Sequence, residues 1–280
     1  MTVTVFDDRV CTLGEGPLWH PERAELFWFD IMGKRLMSKA QAWDFDEAVS
    51  AAGWVDRNTL LIASETQLLR FDLRDGTQTH ICPLEADNPV TRSNDGRADP
   101  WGGFWISSMG KHAEPGAGAI YRWYRSELRQ IAEGITVPNA ICFCPIAKCA
   151  YYTDTPTRII LRQPLRPDTG WPDGPAEPFL DLNDQGYNPD GAVTDVDGNL
   201  WVALWEAARV VCYDRSGAFV THIPITAQRT TCPVFGGNDL SDLYVTSAAI
   251  GLGDRAAPSD GQTFCAHNVG RGRPEPRVVL

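Results

Sequence analysis

The chain has 280 residues, 43% hydrophobic and 22% charged, the balance of an ordinary globular protein. Closed β architectures commonly run to about 200–250 residues or more as one domain, so a single domain over residues 1–280 is expected. A formal charge of −11 argues against a nucleic-acid backbone or an anionic membrane as partner, because either would repel it, and leaves a neutral or locally neutralised small molecule as the easier ligand.

Residues 1–10 alternate polar and apolar types without a basic segment leading into a long apolar run, so no secretory signal is expected. No window approaches the roughly 18 apolar residues of a membrane helix. The expectation is a cytoplasmic protein, monomeric or weakly self-associating. The eight cysteines are spread along the chain without CxxC pairs, as free thiols in a reducing compartment would be. Cys142 and Cys144, two apart in an apolar stretch, belong on one face of a strand as packing residues.

A recurring unit organises the chain: a loop and turn, then an apolar strand rich in aromatic residues. In chain order it reads 14–19 before 25–30, 53–55 before 59–63, 93–96 before 103–107, 137–140 before 150–154, 188–191 before 197–203, and 232–235 before 242–246. A second short apolar strand follows each copy, at 35–37, 68–71, 119–122, 158–161, 209–213 and 262–265. Turn pairs such as Asp197-Gly198 bound these runs, as hairpins require, and 25 glycines with 20 prolines supply many such breaks. Six pairs at an average spacing near the ~40–50 residues of a four-stranded blade predict an all-β, six-bladed β-propeller. The two visible strands are expected to be the central pair of each blade. A β-sandwich or parallel solenoid would not produce six aromatic-flanked copies of this length.

The residues just before the strong strand of four copies are unusual: Glu15, Asn94 with Asp95, Asn139, and Asp190. Taken singly, Asn or Asp before Gly is a common turn former. Equivalent positions of successive blades converge on a propeller's central channel, however, so these oxygen-bearing side chains can meet there and hold a metal.

At these positions the chain resembles the SMP-30/gluconolactonase/regucalcin family. The resemblance is carried by Leu13-Gly14-Glu15-Gly16-Pro17-Leu18-Trp19, Arg92-Ser93-Asn94-Asp95-Gly96-Arg97, Pro138-Asn139, and Asn188-Pro189-Asp190-Gly191 with Asp197-Gly198-Asn199-Leu200-Trp201-Val202-Ala203. It implies that Glu15, Asn139 and Asp190 ligate one divalent metal ion, with Ca, Zn, Mn, Mg and Fe(II) all open. An all-oxygen set suits Ca²⁺, Mg²⁺ or Mn²⁺. It also implies that Arg92 and Asn94 contact the ring oxygens and hydroxyls of a sugar. Two departures stand out: Ala140 follows Asn139 where the family usually has Gly, and Lys111-His112 stands where regucalcin-like members carry an acidic contact. That segment is closer to bacterial aldonolactonases of the xylono- or arabinolactonase type. Lys111 and His112 are candidate contacts to a substrate hydroxyl, or solvated residues of a Gly-rich loop.

The function implied is hydrolysis of an aldonolactone, a pentono- or hexonolactone, to the aldonic acid, with Asp190 as both ligand and general base. Two alternatives stay open: a calcium-binding regulatory propeller without turnover, and a propeller hydrolase of another ester. No Gly-x-Ser-x-Gly elbow and no HExxH or HxH spacing supports a nucleophilic serine or a histidine zinc hydrolase. His20 reads as a turn or wall residue.

Overall fold

The computed structural model describes residues 2–280. The regular structure is almost wholly β, and the strands pair within about 50 residues of one another except where β24 meets the first strand of the chain. After β1 (Thr2–Asp7), the first blade is β2 (Gly14–His20), β3 (Glu25–Asp30), β4 (Arg35–Ser38) and β5 (Ala42–Asp44). The second is β6 (Val49–Asp56), β7 (Thr59–Ser64), β8 (Gln67–Asp72) and β9 (Gln78–Pro83). The third is β10 (Thr91–Ala98), β11 (Phe104–Gly110), β12 (Gly118–Tyr124) and β13 (Glu127–Ile135). The fourth is β14 (Pro138–Cys144), β15 (Cys149–Asp154), β16 (Ile159–Pro164) and β17 (Glu177–Asp181). The fifth is β18 (Asn188–Thr194), β19 (Leu200–Trp205), β20 (Arg209–Tyr213) and β21 (Phe219–Pro224). The sixth is β22 (Arg229–Gly236), β23 (Asp242–Ala248) and β24 (Thr263–His267), completed by β1 in the order β1-β24-β23-β22. Every sheet is four-stranded and antiparallel, and the protein is a six-bladed β-propeller.

The two apolar strands of each copy are the central pair of a blade, as expected. The polar motif before them is not a loop and turn. It is the blade's innermost strand: all seven residues of β2 and of β14 are buried. Turn-forming Gly, Pro, Asn and Asp are tolerated there because five of the six innermost strands carry a matching β-bulge, between Glu15 and Leu18, Ser93 and Gly96, Asn139 and Cys142, Pro189 and Ala192, and Thr230 and Pro233. The extra residue interrupts the ladder and bends the strand locally. In β2 the bulge needs glycine, since Gly16 has φ 53° and a Cβ there would collide with the carbonyl oxygen of Ser50.

The core lies between blades. Trp105 packs edge-on against Phe143 across the third and fourth, and Trp201 against Phe235 across the fifth and sixth, with centroids 5.4 and 5.8 Å apart. Such pairs add about 0.5–1.5 kcal/mol beyond area burial. Cys142 and Cys144 are buried in one cluster, and all eight cysteines are free. Residues 268–280 run across the far ends of the innermost strands. Val196 donates its N–H to the Arg271 carbonyl (2.9 Å), Val278 to that of Trp54 (2.8 Å) and Val279 to that of Gly102 (2.9 Å), and Glu275 forms a buried ion pair with Arg97. No described helix is long and apolar enough to cross a membrane.

Candidate functional site

The near ends of the innermost strands enclose a cavity of about 370 Å³. Glu15 comes from β2, Arg92 and Asn94 from β10, Asn139 from β14 and Asp190 from β18, and all five side chains line it. Each is buried, with between 4% and 8% of its surface exposed. The four-fold recurrence in the sequence is therefore one cluster in space.

A directional chain of hydrogen bonds fixes the amides. Arg92 Nη1 donates to Asn94 Oδ1 (2.9 Å) and to the Ser93 carbonyl (2.8 Å). Asn94 Nδ2 donates to Asn139 Oδ1 (3.1 Å) and to the Pro138 carbonyl (3.0 Å). Asn139 Nδ2 donates to Thr155 Oγ1 (3.0 Å), whose hydroxyl donates to the Pro189 carbonyl (2.8 Å), next to Asp190. Both amide nitrogens are occupied by protein, so the amide orientation is set, and Asn139 Oδ1 keeps a lone pair for a further partner. Thr155 was not foreseen: it follows β15 in a single-turn 3₁₀ helix and belongs to no repeat.

The electrostatics are strained. Burial, then the negative charge of Asp95, pushes the Glu15 carboxyl up to about 8. Burial and then Glu15 push Asp190 well above the carboxylate range, and the two carboxyls contact each other. Asp95 lies one layer deeper, accepting the Ile141 N–H at 2.7 Å, and burial raises it to about 6. Burial lowers Arg92 to about 10, so its guanidinium stays charged at neutral pH, and its Nε is buried with no protein partner. Two acids in contact, with an amide oxygen beside them, are a donor set that a hard divalent cation fits, because it would relieve the repulsion that burial amplifies.

Lys111 and His112 stand at the mouth, on the turn after β11, and both line the cavity. Lys111 Nζ is held by Glu65 at 2.5 Å and by the Pro89 carbonyl at 3.0 Å, while His112 donates its backbone N–H to Glu114 at 3.0 Å. The apolar wall includes Leu13 of the first motif together with Met109, Trp205 and Ile250. His20 is outside the site: it is fully buried between the first two blades, with Nε2 3.1 Å from the Asp56 carbonyl.

The SMP-30/Gluconolactonase/LRE-like region model matches residues 13–249, which include Glu15, Arg92, Asn94, Asn139 and Asp190 of this cavity. The chain belongs to that family. Over 92% of this chain and 88% of the relative, it is 34% identical to the L-arabinolactonase of Azospirillum brasilense. It is 31% identical to the pentonolactonase of Haloferax volcanii, over 98% of this chain and 97% of the relative. The crystal structure of a calcium-binding protein, regucalcin, from Agrobacterium tumefaciens superposes with a TM-score of 0.96 at 36% identity, covering 99% of this chain and 97% of the other.

Proposed function

We propose that this family member hydrolyses the cyclic ester of an aldonolactone, of pentono- or hexono- type, to the aldonic acid, with one divalent cation held by Glu15, Asn139 and Asp190. The observation that carries the reading is the convergence of those three oxygen donors from three blades beside a charged Arg92 with an unspent buried donor.

When bound, the cation supplies positive charge that polarises the lactone carbonyl and favours ionised Glu15 and Asp190. The remaining steps belong to the chain. Arg92 and Asn94 offer a rigid fork of donors and an amide to the ring oxygens and hydroxyls, which orients the lactone over the acids. Asp190 takes a proton from the attacking water as its oxygen adds to the carbonyl carbon. Collapse breaks the bond between that carbon and the ring oxygen, and the departing oxygen takes back the proton held by Asp190 to become a hydroxyl. Arg92, still charged, favours the developing oxyanion and the carboxylate product. The apolar wall, with Trp205 and Ile250, limits water around the ester.

A second reading, a calcium-binding protein without turnover, is favoured by the description of the Agrobacterium structure as calcium-binding. A bare ion, however, requires neither a 370 Å³ chamber nor a free guanidinium donor. The deciding experiment follows proton release from a panel of pentono- and hexonolactones by metal-stripped protein with Ca²⁺, Mg²⁺, Mn²⁺, Zn²⁺ or Fe²⁺ restored. Turnover above the spontaneous rate should require a metal and be lost in Asp190→Ala. Arg92→Lys, which keeps the charge but loses the fork, should keep metal binding and lower kcat/KM by roughly 10- to 100-fold, a loss of about 1.4–2.7 kcal/mol of transition-state stabilisation. A flat panel with intact metal binding would overturn the lactonase reading and leave the calcium-binding one.

A further inference from the structure

The sixth blade carries another set of metal-ligating side chains, on its outer strands and away from the axis. In β24, Cys265 and His267 are two residues apart and share a face. In β23, Asp242 lies on that face opposite His267, one step beyond the Leu243–Ala266 pair. On the other side of β24, Thr2 and Thr4 of β1 pair with His267 and Cys265. The cluster therefore forms where the first strand of the chain closes the ring.

His267 Nδ1 is 3.2 Å from Asp242 Oδ2 and 3.6 Å from Cys265 Sγ, and the three donor atoms all lie within 4.8 Å of one another. A tetrahedral zinc with Zn–N and Zn–O near 2.0–2.1 Å and Zn–S near 2.3 Å sets its ligand atoms about 3.3 Å (N···O) and about 3.5 Å (N···S) apart. Both observed edges match. A histidine–aspartate hydrogen bond accounts for the first edge, and the Cys265 thiol also contacts the Asp242 carboxylate, so all three donors already face one another.

The donors are also held from behind. His267 Nε2 is 3.1 Å from Thr4 Oγ1, which leaves Nδ1 as the ligating nitrogen, and Asp242 Oδ1 accepts the Asn268 N–H at 3.0 Å. Such outer contacts orient ligands in metal sites. Cys265 is 3% exposed, whereas the His267 and Asp242 side chains are 41% and 23% exposed, so the cluster is packed on one side and open to water on the other. Three protein ligands with one open position form a complete zinc coordination shell once water is added.

We propose that Asp242, Cys265 and His267 form a second metal site, selective for a borderline-soft dication such as Zn²⁺, which clamps β23 to β24 and, through Thr4, to β1 at the ring closure. The mixed O, S and N set differs in kind from the all-oxygen set on the axis, so the two sites sort metals by chemistry. The Cys265 proton passes to solvent as the metal–sulfur bond forms.

The test titrates the metal-stripped full chain with Co²⁺ as a spectroscopic stand-in, then with Zn²⁺ alone. Wild type should show thiolate-to-cobalt charge-transfer absorption, which an all-oxygen site cannot give. Asp190→Asn should keep it. Cys265→Ser should lose it, and His267→Gln, at a half-exposed position that tolerates substitution, should weaken Zn²⁺ binding at least 10-fold and abolish the rise in Tm that Zn²⁺ gives wild type. Absence of the sulfur band in wild type, or its survival in Cys265→Ser, would overturn the proposal.

Discussion

Ala140 holds φ at 57° inside the bulge that aims Asn139 at the cavity. A non-glycine residue in that region costs about 1–2 kcal/mol, partly offset because glycine loses about 0.5–1 kcal/mol more backbone entropy on folding. Ala140→Gly should therefore raise the unfolding free energy by up to about 1 kcal/mol in urea without changing metal affinity; a clear loss would show that the alanine methyl packs favourably enough to outweigh its strain. The equivalent Gly16 has no such latitude, and Gly16→Ala should cost more than about 2 kcal/mol, since strain and collision add. The acids beside these bulges predict a pH dependence. In metal-stripped protein Glu15 titrates at about 8, and Asp190 is raised too, whereas an unfolded glutamate titrates near 4.3. Between those values the folded state binds more protons than the unfolded one, so stability falls as pH rises. The Tm of stripped protein should drop between pH 5 and pH 8, and saturating divalent cation should raise Tm more at pH 8 than at pH 5. Glu15→Gln should flatten both trends in calorimetry, and an unchanged slope in that variant would remove Glu15 as their source.

The innermost strand is the element on which the site depends, and it was the least legible as structure. Its neighbours β3 and β4 announce themselves by aromatic, apolar runs, but Gly14-Glu15-Gly16-Pro17 or Asn188-Pro189-Asp190-Gly191 has turn composition, and only packing on both sides makes it a buried strand. The site residues were legible even so, because recurrence in a closed ring forces equivalent positions together. Thr155 and Trp205 were not, since one sits in a connection and the other at a strand's end, and neither recurs. The segment over the far ends of the strands was equally silent: Glu275 has no repeat mate, and its partner Arg97 lies 178 residues away. Burial raises the Glu275 carboxyl, against which Arg97 acts. Removing one partner of such a buried pair typically costs about 3–5 kcal/mol, because the other charge is left uncompensated. Glu275→Ala should lower the denaturation midpoint accordingly, and replacing both partners by apolar residues should recover much of the loss. A Glu275→Ala variant within about 1 kcal/mol of wild type would mean that water reaches Arg97.

At the scale of the whole ring, stability rests on one joint. Five blades are built from consecutive strands, but the sixth borrows β1, so the chain's first strand and its last, β24, must pair before the sixth sheet has its four strands and the ring is closed. Half of β1 is exposed, and beyond its backbone ladder to β24 its hold comes from a few anchors. Phe6 packs edge-on against Tyr244 of the sixth blade and Trp28 of the first, with centroids 5.0 and 6.1 Å apart, and Arg9, paired with Asp7, also donates from Nη2 to the Ser38 carbonyl of the first blade. The joint was invisible in the sequence because residues 2–7 alternate weakly and their partner is some 260 residues away, beyond any local pattern. Phe6→Ala should cost about 1–3 kcal/mol by uncovering both aromatic partners. Deleting residues 2–7 should do more, baring the backbone edge of β24 to other chains. The deletion variant is expected to unfold over a broader, lower transition than Phe6→Ala and to elute as dimers or larger species. A monomeric deletion variant melting within about 2 °C of wild type would show that contacts between blades alone hold the ring closed.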